Sequence, residues 1–240
     1  MYKHILAVIS LVSVLSPVTT WAFRLDPMVV DFQPTGTHAA KTIRVDNEAQ
    51  EKIAVKIQMY RRIVDDKGIE TREPTQDFKV FPTQFSLNSK DSRVIRVVYS
   101  GPKEIDREQS YRLVATQLPV DFKEETRQSG VKFLFEFVAS VYVNQSKFFP
   151  QIEVESITAP ANGQVQMTIA NTGTRHRLLR GVSIKLQDTQ GRHIVVDENL
   201  VKDWNGENLL SGGRRTYTFK SASQFDLKAR PAQIEMKDAD

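Results

Sequence analysis

The sequence predicts an all-β protein built as two β-sandwiches in tandem, and three observations carry that prediction. Past the first two dozen residues, apolar side chains recur with a period of two almost everywhere. Turn-forming clusters interrupt the alternation at short, regular intervals. No helical pattern of useful length competes with it.

Taken in order, Phe23–Phe32 reads as strand, and Ile43/Val45 and Ile53/Val55/Ile57 alternate with polar residues as half-buried strands do. Met59–Val64 follows, and Asp65-Asp66-Lys67-Gly68 is a turn leading to another extended piece. Phe78–Phe81, Phe85–Leu87 and Val94–Tyr99 come next, with turns at 88–91 and 100–102. Tyr111–Leu118 ends at Pro119, and Val131–Val143 is the longest alternating run. A second group begins after Pro150, with strands expected at Val154–Ile157, Val165–Ala170, Val182–Gln187, His193–Val196 and Thr216–Phe219. The expected division is a leader over 1–22, a first domain over 23–147 and a second over 148–240.

The leader has a cationic start (Lys3, His4), an apolar run from Ile5 to Val18, and Thr20-Trp21-Ala22. These are the parts of a cleavable secretory signal, and the run is short for a bilayer span, which needs about 20 residues. An uncleaved anchor is the alternative. Export followed by cleavage near Phe23 predicts a mature chain outside the cytoplasm with no stable membrane insertion.

Composition narrows the chemistry. Charged residues make up 26% and the formal net charge is +4, yet Lys and Arg are interleaved with Asp and Glu. No basic tail or basic helix face calls for nucleic acid. Cysteine is absent, which removes thiol nucleophiles, disulfides and zinc–thiolate sites. His38, His176 and His193 lack ligand spacing, and the pairs Asp65-Asp66 and Glu124-Glu125 fall in loop-like segments. No phosphate loop, nucleophile elbow or zinc-protease motif occurs. The sequence therefore gives no support to an enzyme, a cofactor or a metal. Asn144-Gln145-Ser146 fits a glycosylation triplet, a pattern that arises often by chance.

The run Val131–Val143 puts Val131, Phe133, Phe135, Phe137, Ala139, Val141 and Val143 on one face. Two readings are open from periodicity. It is a central strand whose apolar face fills the core, or an edge strand whose aromatic row is kept for a partner polypeptide.

Several segments resemble the periplasmic pilus chaperones of the chaperone–usher pathway, the PapD-like family. They are Val80-Phe81-Pro82-Thr83-Gln84-Phe85-Ser86-Leu87, then Ser92–Tyr99 with its apolar-Arg-apolar centre, and then Asp106-Arg107-Glu108 running on to Leu118-Pro119. Val131–Val143 falls where that family has its donor strand. The likeness is good over the first domain and looser over the second. It implies two immunoglobulin-like domains set at an angle with a cleft between them.

The implied activity is donor-strand complementation, in which the chaperone lends a strand to an incomplete pilus subunit. The implied donors are Val131, Phe133 and Phe135, with Phe137 a fourth. The implied partners are pilus subunits and an outer-membrane usher, and the free chaperone could cap itself as a homodimer. No nucleotide or metal is implied.

The sequence departs from the family at the two basic residues that hold the subunit's terminal carboxylate. Val29 and Ser140 stand at those positions, which points to a divergent, alternative or archaic branch. Arg24, Arg112 and Lys132 are the substitutes to consider, while Arg96 reads as scaffold. The loop Asn171–Arg177 resembles a family turn whose Arg175, His176 and Arg177 either reach the cleft or are simply solvated. Asn144 replaces a family Arg of an interdomain ion pair, and Glu108 keeps one acidic partner, so that network is expected to be incomplete. The missing cysteine pair and the short stretch Val120–Gly130 are unlike the branch that builds capsule-like polymers.

Three rivals remain. A pilin or adhesin would need a donor extension ahead of its first strand, where strand-like sequence already begins. A carbohydrate-binding module would want several exposed aromatic platforms, and Trp204 is the only mature Trp. The third is a periplasmic enzyme.

Overall fold

The computed structural model describes residues 23–120, 122, 133–158, 164–187, 193–196, 204, 206–220 and 231–235. The leader 1–22, Glu124-Glu125, Val131 and Lys132 lie outside the described residues.

The first sandwich contains β1 (Phe23–Asp26), β2 (Val29–Phe32), β3 (Ala40–Asn47), β4 (Ile53–Val64), β5 (Glu70–Pro74), β6 (Phe78–Phe81), β7 (Gln84–Leu87), β8 (Ser92–Tyr99), β9 (Gln109–Leu118) and β10 (Glu136–Val143). One sheet has the order β1-β3-β8-β6, and the other β2-β10-β9-β4-β5 with β7 also on β4. The opening strand is divided between the two sheets. Its first part, β1, pairs antiparallel with β3. Beyond the cis Asp26–Pro27 bond, β2 pairs parallel with β10.

Period-two alternation decides which side chains meet between the sheets. Val55, Ile43, Val45, Ile95, Val97, Leu113 and Val141 are completely buried, while their neighbours along each strand face outward. Asn47 closes one end of this core, its amide donating to the carbonyls of Glu51 and Asn88 at 2.8 Å.

The second sandwich contains β11 (Ile152–Thr158), β12 (Gln164–Asn171), β13 (Arg177–Leu178), β14 (Ser183–Gln187), β15 (His193–Val196), β16 (Asn208–Leu209), β17 (Arg214–Lys220) and β18 (Pro231–Glu235). They form sheets β11-β12-β17, β13-β16 and β15-β14-β18. A separate core of Val165, Met167, Ile169, Leu179, Ile184 and Trp204 lies between them. Trp204 is packed rather than presented: it stacks on Tyr217 with ring centroids 3.8 Å apart. Asn171 repeats the role of Asn47, donating to the carbonyls of Arg175 and Leu209. No α-helix occurs among the described residues.

One expectation needs correction. The 131–143 run is not one continuous strand, because β10 begins only at Glu136 and residues 133–135 precede it without regular pairing. β4, with 12 residues, is the longest strand among the described residues. Alternation reports which faces are apolar, but a strand also needs a neighbour, and β2 accompanies β10 only from Ser140 onward. Short β13, β16 and β18 were not legible because two-residue bridges carry no period and 231–235 opens on a proline.

Candidate functional site: the unpaired edge of β10 and the arginine cluster beside it

β10 is flanked on one side by β9 over its whole length, from Glu136 opposite Thr116 to Val143 opposite Gln109. On the other side β2 covers only Ser140–Val143. The Gln117 N–H donates to the Phe135 carbonyl at 2.9 Å, so odd-numbered residues turn their backbone groups toward β9. Even-numbered residues turn theirs the other way, as the Ser140 N–H does in donating to the Met28 carbonyl at 2.8 Å. Leu134, Glu136 and Val138 therefore direct backbone donors and acceptors toward a side where no described strand pairs with them.

The side chains of the odd row change environment along the chain. Val143, Val141 and Ala139 are completely buried. Phe137 and Phe135 are half-buried against the core, with Phe137 edge-on to Phe23 at 4.7 Å. Phe133 is 68% exposed, and Leu134 is exposed beside it. The apolar row thus leaves the core at the point where the strand loses its second neighbour. The run divides: residues 139–143 are core, and 133–137 lie along an edge. Of the four donor residues expected from the sequence, Phe133, Phe135 and Phe137 lie together on this edge and Val131 lies outside the described residues.

The opposite face of the same sheet carries the charge. Val29, Ser140, Arg112 and Tyr60 stand side by side across four strands. Val29 and Ser140 are register partners, so the two positions where the resemblance expected cations are adjacent and uncharged. The cation stands one strand over. Arg112 donates through Nη1 to the Ser140 hydroxyl, and through Nε (2.9 Å) and Nη2 (2.5 Å) to the two oxygens of Glu70.

Glu70 also receives Arg62 Nε at 2.7 Å and Arg72 Nε at 3.2 Å, and Arg72 reaches Glu136 at 3.1 Å. Among the described residues, three guanidiniums facing two carboxylates leave one positive charge in excess. Burial alone would raise the Glu70 carboxyl. The hydrogen bond and charge of Arg112, followed by Arg62 and Arg72, outweigh burial and hold it at about 2. Arg62 is nine-tenths buried, and its Nη1 has no hydrogen-bond partner among the described residues.

The other expected anchors are elsewhere. Arg24 lies on the outward face of the first sheet, beside Asp46 and Glu48 at 3.4 and 3.7 Å, far from Arg112 in the pairing order. Lys132 lies outside the described residues. Arg96 is exposed on β8, opposite Phe81 and Thr42.

The second sandwich meets this charged face. Tyr142 accepts a hydrogen bond from the Asn208 amide at 2.6 Å and stacks on the His176 ring at 4.0 Å. The fully buried Glu108 carboxylate lies 2.6 Å from His176 Nδ1 and accepts the His176 N–H at 3.1 Å. Arg175 (3.8 Å) and the Asn144 amide (3.3 Å) complete its surroundings. The ion network expected to be incomplete is filled from the second sandwich, and the 171–177 loop is an interface rather than a solvated turn. A third contact joins Arg215 Nη1 to the Asp65 carbonyl at 2.5 Å, at the tip of the β4–β5 hairpin.

Two immunoglobulin-like sandwiches in tandem, the first with its opening strand shared between sheets and its last strand half unpaired, define a class of two-domain chaperone folds. The chain belongs to the pili and flagellar-assembly chaperone family, whose PapD N-terminal domain matches residues 23–142. No curated protein sequence matches significantly.

Solved structures share the fold at low identity. One is the chaperone–tip adhesion subunit pre-assembly complex of the archaic Csu pili of Acinetobacter baumannii. It is 14% identical with a TM-score of 0.59, covering 85% of this chain and 89% of that one. Another is the class 5 fimbriae chaperone CfaA, at 14% identity and a TM-score of 0.56 over 90% of this chain and 99% of that one. The Salmonella enterica SafA pilin in complex with the SafB chaperone is a third, at 15% identity and 0.53 over 84% and 85%.

Proposed function

We propose that this chaperone works in the periplasm after export, capping pilus subunits by donor-strand complementation and handing them to an outer-membrane usher. The observation that carries the proposal is the half-paired β10. Its Leu134, Glu136 and Val138 backbone groups would form a ladder with the subunit, while Phe133, Phe135 and Phe137 would enter the subunit's open core. The likeness to chaperone–pilin complexes supports the same partner class.

Magnitudes favour the backbone as much as the side chains. Phe133 has about 1–2 kcal/mol of burial left to gain, and the half-buried Phe135 and Phe137 less each. Each ladder hydrogen bond adds a net of about 1 kcal/mol. Arg112 is the candidate for holding the subunit's terminal carboxylate, because it is the guanidinium standing next to Ser140 on the face that the second sandwich approaches.

The test is co-purification from periplasm with candidate subunits, comparing wild type with Phe133→Asp/Phe135→Asp. A one-to-one complex lost by a still-folded double variant is the expected result. Retention of the complex by that variant would remove the donor assignment. A folded wild type that captures no subunit, or one that elutes as a dimer blocked at Phe133, would redirect the reading to a structural subunit or to self-capping.

A further inference from the structure

We propose that Glu70 is a resident stand-in for the partner's terminal carboxylate, occupying the Arg112 fork until a subunit arrives and so setting how tightly that carboxylate is held. This rests on the reading of Arg112 as anchor, and it adds a residue that neither the resemblance nor the sequence singled out.

The geometry is that of an occupied carboxylate site. Glu70 takes both oxygens into the Nε/Nη2 edge of Arg112, the bidentate arrangement in which a guanidinium recognises any carboxylate. Arg62 and Arg72 bind the same group from β4 and β5. A lone structural glutamate does not need three arginines, and the excess positive charge with a buried, unpartnered Arg62 Nη1 leaves capacity for a second anion beside the first. The depressed titration of Glu70 says the same: the cluster favours a negative oxygen pair strongly.

Displacement of Glu70 falls on its side chain and the start of β5, because the turn before it is fixed. Glu70 follows directly on the Asp65–Ile69 turn, which is braced by Asp65 Oδ1 accepting the Lys67 and Ile69 N–H groups. The turn's Asp65 carbonyl is held by Arg215 of the second sandwich. Withdrawal of Glu70 would move one end of a short edge strand whose other side pairs with no described strand.

The test uses the full chain and acetate as a carboxylate probe, read by the Nε–H resonance of Arg112 in arginine-selective NMR. Glu70→Gln keeps the shape and removes the charge. The expected result is a saturable acetate-induced shift in Glu70→Gln, roughly tenfold or more tighter than in wild type, with the Arg62 and Arg72 Nε–H resonances, which flank the same site, no longer responding in Glu70→Gln/Arg112→Ala. A wild type that responds as strongly as Glu70→Gln, or a Glu70→Gln protein that does not respond, overturns the proposal.

If Glu70→Gln misfolds by its backbone spectrum, Glu70→Asp serves instead, and an acetate response equal to wild type overturns the proposal there. Subunit capture by Arg112→Ala separates the two readings. Undiminished capture removes the anchor, whatever acetate does. Lost capture with no acetate response in Glu70→Gln keeps the anchor and reduces Glu70 to a fixed counter-ion.

Discussion

Ser140 and Arg112 stand opposite each other across the β9–β10 ladder, and the guanidinium donates to the serine hydroxyl. Beside Ser140 the positive charge therefore comes from the neighbouring strand, and β10 contributes a small acceptor there and the Glu136 carboxylate further along. A serine at 140 fits that division, because a longer side chain there would compete with Arg112 for the same space.

From this pairing, Arg112 should not be exchangeable for lysine. Its planar fork serves Glu70 through two donors and Ser140 through a third, whereas an ammonium is a single point charge. Arg112→Ala and Arg112→Lys should both weaken subunit capture by about tenfold or more. Pull-down with a titrated subunit checks this, and full activity of the lysine variant would count against recognition by a fork.

The 133–137 edge should be functionally demanding and structurally cheap at its tip. Phe133→Ser should change unfolding stability by no more than about 0.5 kcal/mol, since the ring is mostly in solvent. Phe137→Ala should cost about 2–3 kcal/mol, because it empties half-buried space and removes the edge-on contact with Phe23. Urea unfolding of both variants gives the comparison. Equal losses would mean that the row is core throughout.

The fold was legible to the extent that it follows from period two. Most strands begin and end within two residues of the alternating runs, because one face of each lies against a core. The aromatic row at 133–137 was legible for the same reason. Its limits were not, since where β10 loses its neighbour is decided by β2, more than a hundred residues earlier in the chain.

The arginine cluster was invisible for a related reason. Arg62, Glu70, Arg72 and Arg112 alternate with their neighbours like any solvent-facing residues, and only the pairing order β9-β4-β5 brings them together. The partner of His176 was hidden on similar grounds. A lone histidine in a loop carries no mark of the buried Glu108 that it meets.

The Glu70 cluster gives stability a specific pH dependence. A carboxyl held at about 2 when folded, against an ordinary value of 4.5, contributes stability that is fully present above pH about 4.5. That contribution is lost as pH falls toward 2, where the folded carboxylate takes up its proton. Glu70→Gln should therefore be less stable than wild type at neutral pH, with the gap narrowing between pH 4.5 and 2. Chemical unfolding across that range is the measurement, and a constant gap would show that the carboxylate charge is not what stabilises.

Glu108 should couple the two sandwiches. Its carboxylate is wholly buried and bound from the second sandwich by His176 and Arg175, and the Glu108 N–H also donates to the Thr174 carbonyl at 2.9 Å. Glu108→Ala leaves those groups facing a void, a change that typically costs about 3–5 kcal/mol. Scanning calorimetry should show one transition dividing into two. A single transition of unchanged width would mean that Tyr142–Asn208 and Arg215–Asp65 suffice to hold the sandwiches together.

Gly173 should be the least replaceable glycine among those described, for a reason of space. A Cβ there would sit 2.3 Å from the Gln151 nitrogen, 2.5 Å from the Phe149 carbonyl oxygen and 2.7 Å from the Pro150 carbonyl carbon. All three are backbone of the connecting segment and cannot rotate aside. That segment is tied to the same turn by the Thr172 N–H to Gln151 carbonyl and Thr174 N–H to Phe149 carbonyl bonds, both 2.8 Å. The Asn171 side chain adds to this by accepting both the Gln151 and Gly173 N–H groups at 3.1 Å. An alanine must push the connection off the turn, breaking several bonds worth about 1 kcal/mol each and loosening the residues that reach Glu108. Gly36 is the control: its φ of 78° with ψ of −162° is a region open in practice only to glycine, at a backbone cost of about 1–3 kcal/mol for alanine, but a Cβ there meets nothing within 4 Å. Gly173→Ala should cost more than Gly36→Ala in urea unfolding and should share the divided calorimetric transition of Glu108→Ala. Equal costs would mean that the connection yields freely, and that the contacts around Glu108 alone set the coupling between the sandwiches.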